Sequence, residues 1–213
     1  MTRYQQKGAS DRWRKRFHAW LMAHGSPVLH RHYTGYKEAL FSPLSGLVVE
    51  IGPGTGVNLA HYPKGVRWVG IEPNPYMVPY LRSKGEHLGL PLDIRVEQAP
   101  ELSLPTGSAD AVVTTLVLCT VADVEGTLQE IRRILKPGGR YVFIEHMAAP
   151  IGTRTRRLQD LVCPVWSFLA DGCKPNRELW RALETAGFSS LDYTSFHVPI
   201  PIAGPHIAGV AIK

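Results

Sequence analysis

The acidic residue Glu50 runs almost directly into the turn Gly52-Pro53-Gly54-Thr55-Gly56, at the end of the β-branched stretch 47–51. Glycines in such a turn let a ligand approach the backbone closely and permit positive φ. The spacing is GxGxG rather than GxGxxG, and a carboxylate just ahead of it would repel a dinucleotide pyrophosphate. It suits the ammonium end of an amino-acid-like cofactor, met directly or through water. Glu72 closes the next apolar stretch, where a carboxylate can accept hydrogen bonds from ribose hydroxyls; a solvated acid at a strand end is the plainer alternative. Asn74 and Met77 follow where side chains can line an adenosine pocket, and Gln98 and Ala99 leave a third stretch where an amide or backbone group can recognise adenine.

These residues need a scaffold that brings strand ends to one edge. From Gly46 onward, short β-branched runs alternate with helical patterns, the signature of βαβ units and a mostly parallel sheet. Strands are expected at 47–51, 66–71, 92–97, 109–114, 140–145, 191–196 and 207–212, with helices at 56–61, 75–87, 124–135 and 177–185. The third of these helices should stop at Lys136-Pro137-Gly138-Gly139. In an open sheet of this kind the ligand sits beyond the carboxyl ends of the strands, where strand order reverses, so the glycine turn is the expected site. Ahead of the sheet, Ser10 is a candidate N-cap for a helix carrying Trp13, Phe17, Trp20 and Leu21 on one face and stopping at Gly25 and Pro27. A second helix is expected over 28–41. Residues 148–175 read as a mostly helical insertion.

The chain has 213 residues, enough for a substantial core without a second domain. An apolar fraction of 44% and a charged fraction of 20% exclude disordered and fibrous classes. The net charge of +6 is concentrated in residues 12–16 and 154–157 and is not laced with aromatic residues, so nucleic acid is not an expected partner; no protein partner is implied either. Peripheral contact of the basic, aromatic N-terminal helix with a bilayer stays open beside its reading as a lid packed on the core. No apolar run spans a bilayer and the start lacks a secretory core, so a cytoplasmic protein with reduced thiols is expected. Cys119, Cys163 and Cys173 show no CxxC or Cys/His spacing that frames a zinc site, and no metal is expected.

Taken together, EIGPGTG, GIEPNP, ADAVVTTL and ILKPGG resemble the class I S-adenosylmethionine-dependent methyltransferases over residues 33–188. That resemblance implies a Rossmann-like, doubly wound, seven-stranded α/β sheet with an antiparallel final hairpin. It implies S-adenosyl-L-methionine as cofactor and S-adenosyl-L-homocysteine as product. The candidate cofactor set is Glu50, Gly52, Gly54, Gly56, Asn58, Glu72, Pro73, Asn74, Met77, Gln98, Ala99, Thr115 and Leu116. The segments TLVLCTV, FIEHMAAP, DGC, RELWRALETAGFSSL and PHIAGVAIK are further similar to the alkyl thiol S-methyltransferases. This implies methyl transfer to the sulfhydryl of a small, fairly apolar thiol or dithiol. Methylation of a phospholipid amine or quinone precursor, and cofactor binding without turnover, are the competing readings. Where membrane-associated relatives begin with a hydrophobic anchor, this chain begins with a charged amphipathic helix, so a membrane-integral location does not carry over.

Methyl transfer from a sulfonium is an in-line displacement that needs the acceptor close and aligned. A thiol attacks far better as thiolate, so a basic group beside it helps. His146, after the fifth strand, can take that proton or can merely brace a loop. Glu145 can orient it or pair with an arginine. Asp171 can position the acceptor or cap a helix starting near Asn176, Cys119 reads as a buried apolar filler, and His206 as structural.

Overall fold

A computed structural model of the protein describes residues 9–25 and 31–213, with side chains from Arg12 onward in the first segment. Ser10, expected to cap the first helix, falls within α1 with its side chain outside the described part, and Pro27 and the start of the second expected helix lie outside the described residues. The elements are α1 (Ala9–His24), α2 (Thr34–Phe41), β1 (Leu47–Ile51), β2 (Arg67–Ile71), α3 (Val78–His87), β3 (Asp93–Arg95), β4 (Ala109–Thr115), α4 (Val124–Ile134), β5 (Leu135–His146), α5 (Arg154–Leu169), α6 (Leu179–Thr185), β6 (Ser190–His197) and β7 (Pro205–Ile212).

One seven-stranded sheet runs β3-β2-β1-β4-β5-β7-β6. The pairs from β3 to β5 are parallel, and β7 is antiparallel to both β5 and β6. Alternation of side chains along the strands divides the core into two layers. Val49, Val112 and Phe143 pack on one face with Leu128 and Ile131 of α4 and Leu179 and Leu183 of α6. Val48, Ala111, Val113 and Val142 pack on the other with Phe41 of α2 and Leu44. The order reverses between β1 and β4, so the glycine turn after β1 and the turn after β4 face each other at the carboxyl edge.

Three elements differ from expectation. The stretch 56–61 forms only a single 3-10 turn, Leu59–His61, since Asn58 turns its amide inward to Glu50 rather than capping a helix and Pro63 closes the segment. The expected strand 92–97 shortens to three residues at the sheet edge. β5 begins at Leu135, earlier than expected, because Leu135 pairs with Ala109 before the register jumps to Arg140 opposite Ala111. Residues 136–139 bulge between them, with Gly138 at φ +74, so the turn chemistry of that stretch is real but interrupts a strand rather than preceding one.

The aromatic face of α1 also differs from a lid packed on the core. Trp13, Phe17, Trp20 and Leu21 are exposed, and it is Ala19 that is buried. Arg14, Lys15, His18 and Ala23 are half-buried beside Ala19 and form the side that meets the protein. That side touches functional loops: Asn74 Nδ2 donates to the Lys15 carbonyl at 3.1 Å, and His18 Nδ1 stands 3.6 Å from Asp171. α5 is anchored by Gln159, wholly buried, which accepts from Ala149 N at 2.7 Å and donates to the carbonyls of Ile202 and Met147.

Candidate active site

The glycine turn is built for close approach at one point. Gly54 has φ +56 and a Cβ there would meet nothing within 4 Å, so its face is open. Gly56, at φ +83, is different: a Cβ would stand 2.9 Å from Leu59 and Leu81, which makes it a packing requirement. Gly54 N donates to Glu72 Oε2 at 2.9 Å, and Asn74 N donates to Glu72 Oε1 at 2.8 Å. Burial pushes the Glu72 carboxyl up to about 7, against the pull of those two N–H groups and with Asp171 and Glu50 adding like charge. Each Glu72 oxygen keeps a further lone pair for a ligand hydroxyl.

Glu50 is placed otherwise than a free carboxylate. It is buried, and its oxygens accept from Asn58 Nδ2 at 2.7 Å, Tyr62 OH at 2.9 Å and Trp68 Nε1 at 3.1 Å. Burial raises its pKa, opposed by those three donors and by the field of Lys37, itself buried and lowered to about 8 by desolvation. Oε1 accepts one of these bonds and Oε2 the other two, and the first of them holds the Asn58 amide in place. Asn58 Nδ2 also donates to Thr115 Oγ1 at 3.0 Å, which fixes the amide, and its Oδ1 is buried without a partner. An oriented, unpaired acceptor beside the glycine turn is what an ammonium group requires.

Asn74, expected to line an adenosine pocket, makes hydrogen bonds of its own. Its amide is spent on the Lys15 carbonyl of α1 and on Tyr76 N, so it seats α1 over the turn. Met77 is buried near the start of α3, Gln98 is exposed, and Ala99 packs against the core. Leu116 takes a positive φ of +58 just past β4, and the turn it opens is clamped by Glu145, which accepts from Val117 N and Leu118 N at 3.1 Å each. Glu145 thus neither orients His146 nor pairs with an arginine. Replacing it by alanine strands two buried N–H groups, so Glu145→Ala should lower unfolding free energy by about 2–3 kcal/mol, measured by urea denaturation.

His146 is buried at the end of β5, with Nε2 3.0 Å from Cys173 Sγ and Nδ1 buried without a partner. Cys173 also receives the Trp166 indole N–H at 3.2 Å. Cys119, expected to be an inert filler, completes this group: Cys119 Sγ, His146 Nε2 or Nδ1 and Cys173 Sγ all lie within 4.8 Å of one another. A hydrogen bond from Cys119, with further help from His146 and Trp166, pulls the Cys173 thiol well down, while that same contact and burial push Cys119 up. The cluster is invisible in sequence spacing because its members come from the turn after β4, the end of β5 and the loop after α5. Arg177 donates to the carbonyls of Leu118 and Val121 and so ties the first of these to the start of α6.

Asp171, at φ +49, faces His18 of α1 and does not cap α6, whose N-cap is Glu178. His206 is structural in its contacts: Nδ1 donates to the Gly204 carbonyl, so Nε2 accepts from Tyr33 OH at 2.9 Å, and burial lowers its pKa to about 4.

Residues 49–143 match the family model described as a methyltransferase domain. The chain is 38% identical to the human thiol S-methyltransferase TMT1B and 36% identical to the human thiol S-methyltransferase TMT1A, in each case over 93% of this chain and 87% of the relative. The solved structure of geranyl diphosphate C-methyltransferase from Streptomyces coelicolor A3(2), in complex with Mg2+, geranyl diphosphate and S-adenosyl-L-homocysteine, shares the fold with a TM-score of 0.68 at 16% identity, covering 86% of this chain and 81% of that one. Among the described residues no helix is long and apolar enough to cross a membrane. With identity of this level along nearly its whole length, around a glycine turn, a buried acid pair and an unpaired amide acceptor at the sheet's switch point, the chain belongs to the thiol S-methyltransferases, a family of S-adenosylmethionine-dependent methyltransferases.

Proposed function

We propose that this protein transfers the methyl group of S-adenosylmethionine to the sulfhydryl of a small-molecule thiol or dithiol. The observation that carries this is the reach of the likeness to thiol S-methyltransferases: covering 93% of the chain, it runs past residue 143, through the segments that bear His146, Asp171 and Cys173.

The cofactor supplies an electrophilic methyl group on a sulfonium sulfur. The residues supply position. Asn58 Oδ1, held by Glu50 and Thr115, accepts from the amino end; Glu72 accepts from the ribose; the open face of Gly54 admits the backbone contact between them. Pro73 and Met77 wall the adenosine, Gln98 and Ala99 border the adenine, and Leu116 offers backbone at the methyl-bearing end, with Gly52 and Gly56 shaping the turn. His146 and Asp171 stand on the acceptor side, His146 lowering the cost of forming a thiolate. The whole chain acts as one methyltransferase domain, in which α1 covers the site as a lid through its Lys15 and Ala19 side and residues 148–175 cover the acceptor. Free cysteines suit a reducing compartment, and we place the protein in the cytoplasm on that ground.

Mass spectrometry of purified protein with S-adenosylmethionine and a panel of thiols, dithiols, amines, phenols and phospholipids tests the assignment. Methylated thiols alone support it; transfer confined to amines, phenols or lipids overturns it. The phospholipid reading is favoured by one observation. α1 and α5 both expose large apolar side chains, Trp13, Phe17 and Trp20 on one and Leu161, Val165, Phe168 and Leu169 on the other, and Arg14 joins the two helices by lying over the Phe168 ring at 4.7 Å.

Gly54→Ala should leave folding nearly intact, because its Cβ meets nothing, apart from about 1 kcal/mol for the positive φ. Its Cβ fills the open face, so the cofactor Kd should rise about tenfold by calorimetry, the equivalent of one lost contact.

A further inference from the structure

We propose that Cys119, His146 and Cys173 bind one zinc ion whose remaining coordination position takes the acceptor sulfur as a thiolate, an inference that rests on the thiol reading above and says how the thiol is activated.

Zinc–sulfur bonds of about 2.3 Å and zinc–nitrogen bonds of about 2.0 Å in a tetrahedron put neighbouring ligand atoms about 3.5–4 Å apart. Here the two sulfurs and the imidazole nitrogen all lie within 4.8 Å of one another, with His146 Nε2 and Cys173 Sγ at 3.0 Å, so small side-chain adjustments close the site. All three residues are buried. They are also tied together: Lys174 N donates to the Cys119 carbonyl at 2.9 Å, which locks the loop after α5 to the turn after β4. Glu145 and Arg177 hold that turn from either side.

Two thiolates and an imidazole select zinc or another soft ion over magnesium and calcium. Three protein ligands rather than four is the pattern of catalytic zinc, which keeps a position for water or substrate. Two buried thiolates and a divalent ion sum to no net charge, which the fold can enclose, whereas two thiolates alone it could not. The Trp166 indole N–H at 3.2 Å from Cys173 Sγ is an outer hydrogen bond of the sort that holds a ligating sulfur in place.

The chemistry balances without an oxidant. An incoming thiol gives its proton to solvent as its sulfur binds zinc. The metal-bound sulfur then forms a bond to the methyl carbon as that carbon's bond to the sulfonium sulfur breaks. A neutral thioether is a poor zinc ligand beside a thiolate, so the product leaves and the position reopens. Placing the ion at the carboxyl edge between β4 and β5 puts it next to the turn that holds the cofactor.

Protein purified under reducing conditions without chelator should contain one zinc per chain by elemental analysis. Cobalt exchanged for zinc should give the strong thiolate-to-cobalt charge-transfer absorption, and a small thiol, but not the corresponding amine, should shift it. Cys119→Ser and Cys173→Ser should each weaken zinc binding at least tenfold, and Cys163→Ser, outside the cluster, should not. Absence of metal binding in wild type, a Cys119–Cys173 disulfide in the intact mass, or zinc retained by the Cys119→Ser/Cys173→Ser double variant would each overturn the proposal; the wild-type measurements stand even if a variant fails to fold. Thiol methylation at full rate by chelator-stripped protein would remove the metal's role and leave the thiol reading standing. Stoichiometric zinc with no thiol accepted would remove the thiol reading, and with it the role assigned to the open position.

Discussion

Glu72→Gln is expected to weaken S-adenosylmethionine binding at pH 8 by about 30-fold or more and to abolish most of its pH dependence. A ribose hydroxyl donating to a carboxylate makes a charge-assisted bond, of the kind worth about 1.5–3 kcal/mol. The sign of the pH effect follows from the raised value. Free Glu72 ionises at about 7 because burial opposes the charge, with Asp171 and Glu50 adding to it. Only the ionised form offers acceptors on both oxygens, so cofactor binding and deprotonation favour each other. Affinity should therefore be low below pH 7, rise as pH passes through it, and level off above. A pKa of about 7 leaves roughly a tenth of the sites ionised at pH 6 and nine-tenths at pH 8, a gain of about tenfold across that interval. Calorimetric titration across this range checks both parts. A wild-type Kd flat from pH 6 to 8, or a glutamine variant with the same slope, would remove Glu72 from the ribose.

Much of this site is legible in the sequence, and the boundary of what is legible has a physical meaning. Glu50, the glycine turn and Glu72 are local to strand ends, and strand ends of a parallel sheet converge wherever the topology reverses, so order along the chain implies proximity in space. The final hairpin is readable for the same reason. What is not legible is where a polar atom spends its hydrogen bonds. Glu50 is expected to meet an ammonium group directly or through water; that it also accepts from Tyr62, Trp68 and Asn58, leaving the Asn58 oxygen unpaired beside it, is not readable from spacing. Asn74 likewise donates to the Lys15 carbonyl of α1, a contact that spacing does not announce. Cys119 and Cys173 lie far apart along the chain and meet only because β5 and α5 intervene in sequence but not in space. No spacing rule finds such a group; the one available signal is that Cys119 and His146 sit at strand ends, and Cys173, in the loop after α5, gives none. Helix α1 shows the opposite error, in which an aromatic stripe at helical spacing reads as a buried face and is in fact the outer one.

The buried anchor at Glu50 leads to the largest effect expected on stability. Glu50→Ala removes the acceptor of three side-chain donors at once and takes away a negative charge whose field favours the charged form of buried Lys37. Stranding a buried donor costs about 1–3 kcal/mol, so losing the acceptor of three at once should remove a large part of the roughly 5–15 kcal/mol that ordinarily holds a domain folded. Urea denaturation should show that loss, and the surviving folded protein should also bind cofactor poorly, because an Asn58 amide released from Glu50 no longer aims its Oδ1. A purely electrostatic role can be separated from a positioning role by pairing the changes. Lys37→Met with Glu50→Gln neutralises both charges and keeps their shapes, so it should recover much of the stability lost in Glu50→Ala. The side-chain amide introduced by Glu50→Gln accepts through one oxygen only, leaving at least one of the three donors facing an N–H. Stability recovered with affinity still impaired would place Asn58 orientation, rather than the charge of Glu50, at the amino end of the cofactor. Recovery of both would assign that end to the local field instead, and the unpaired Asn58 oxygen would need another partner.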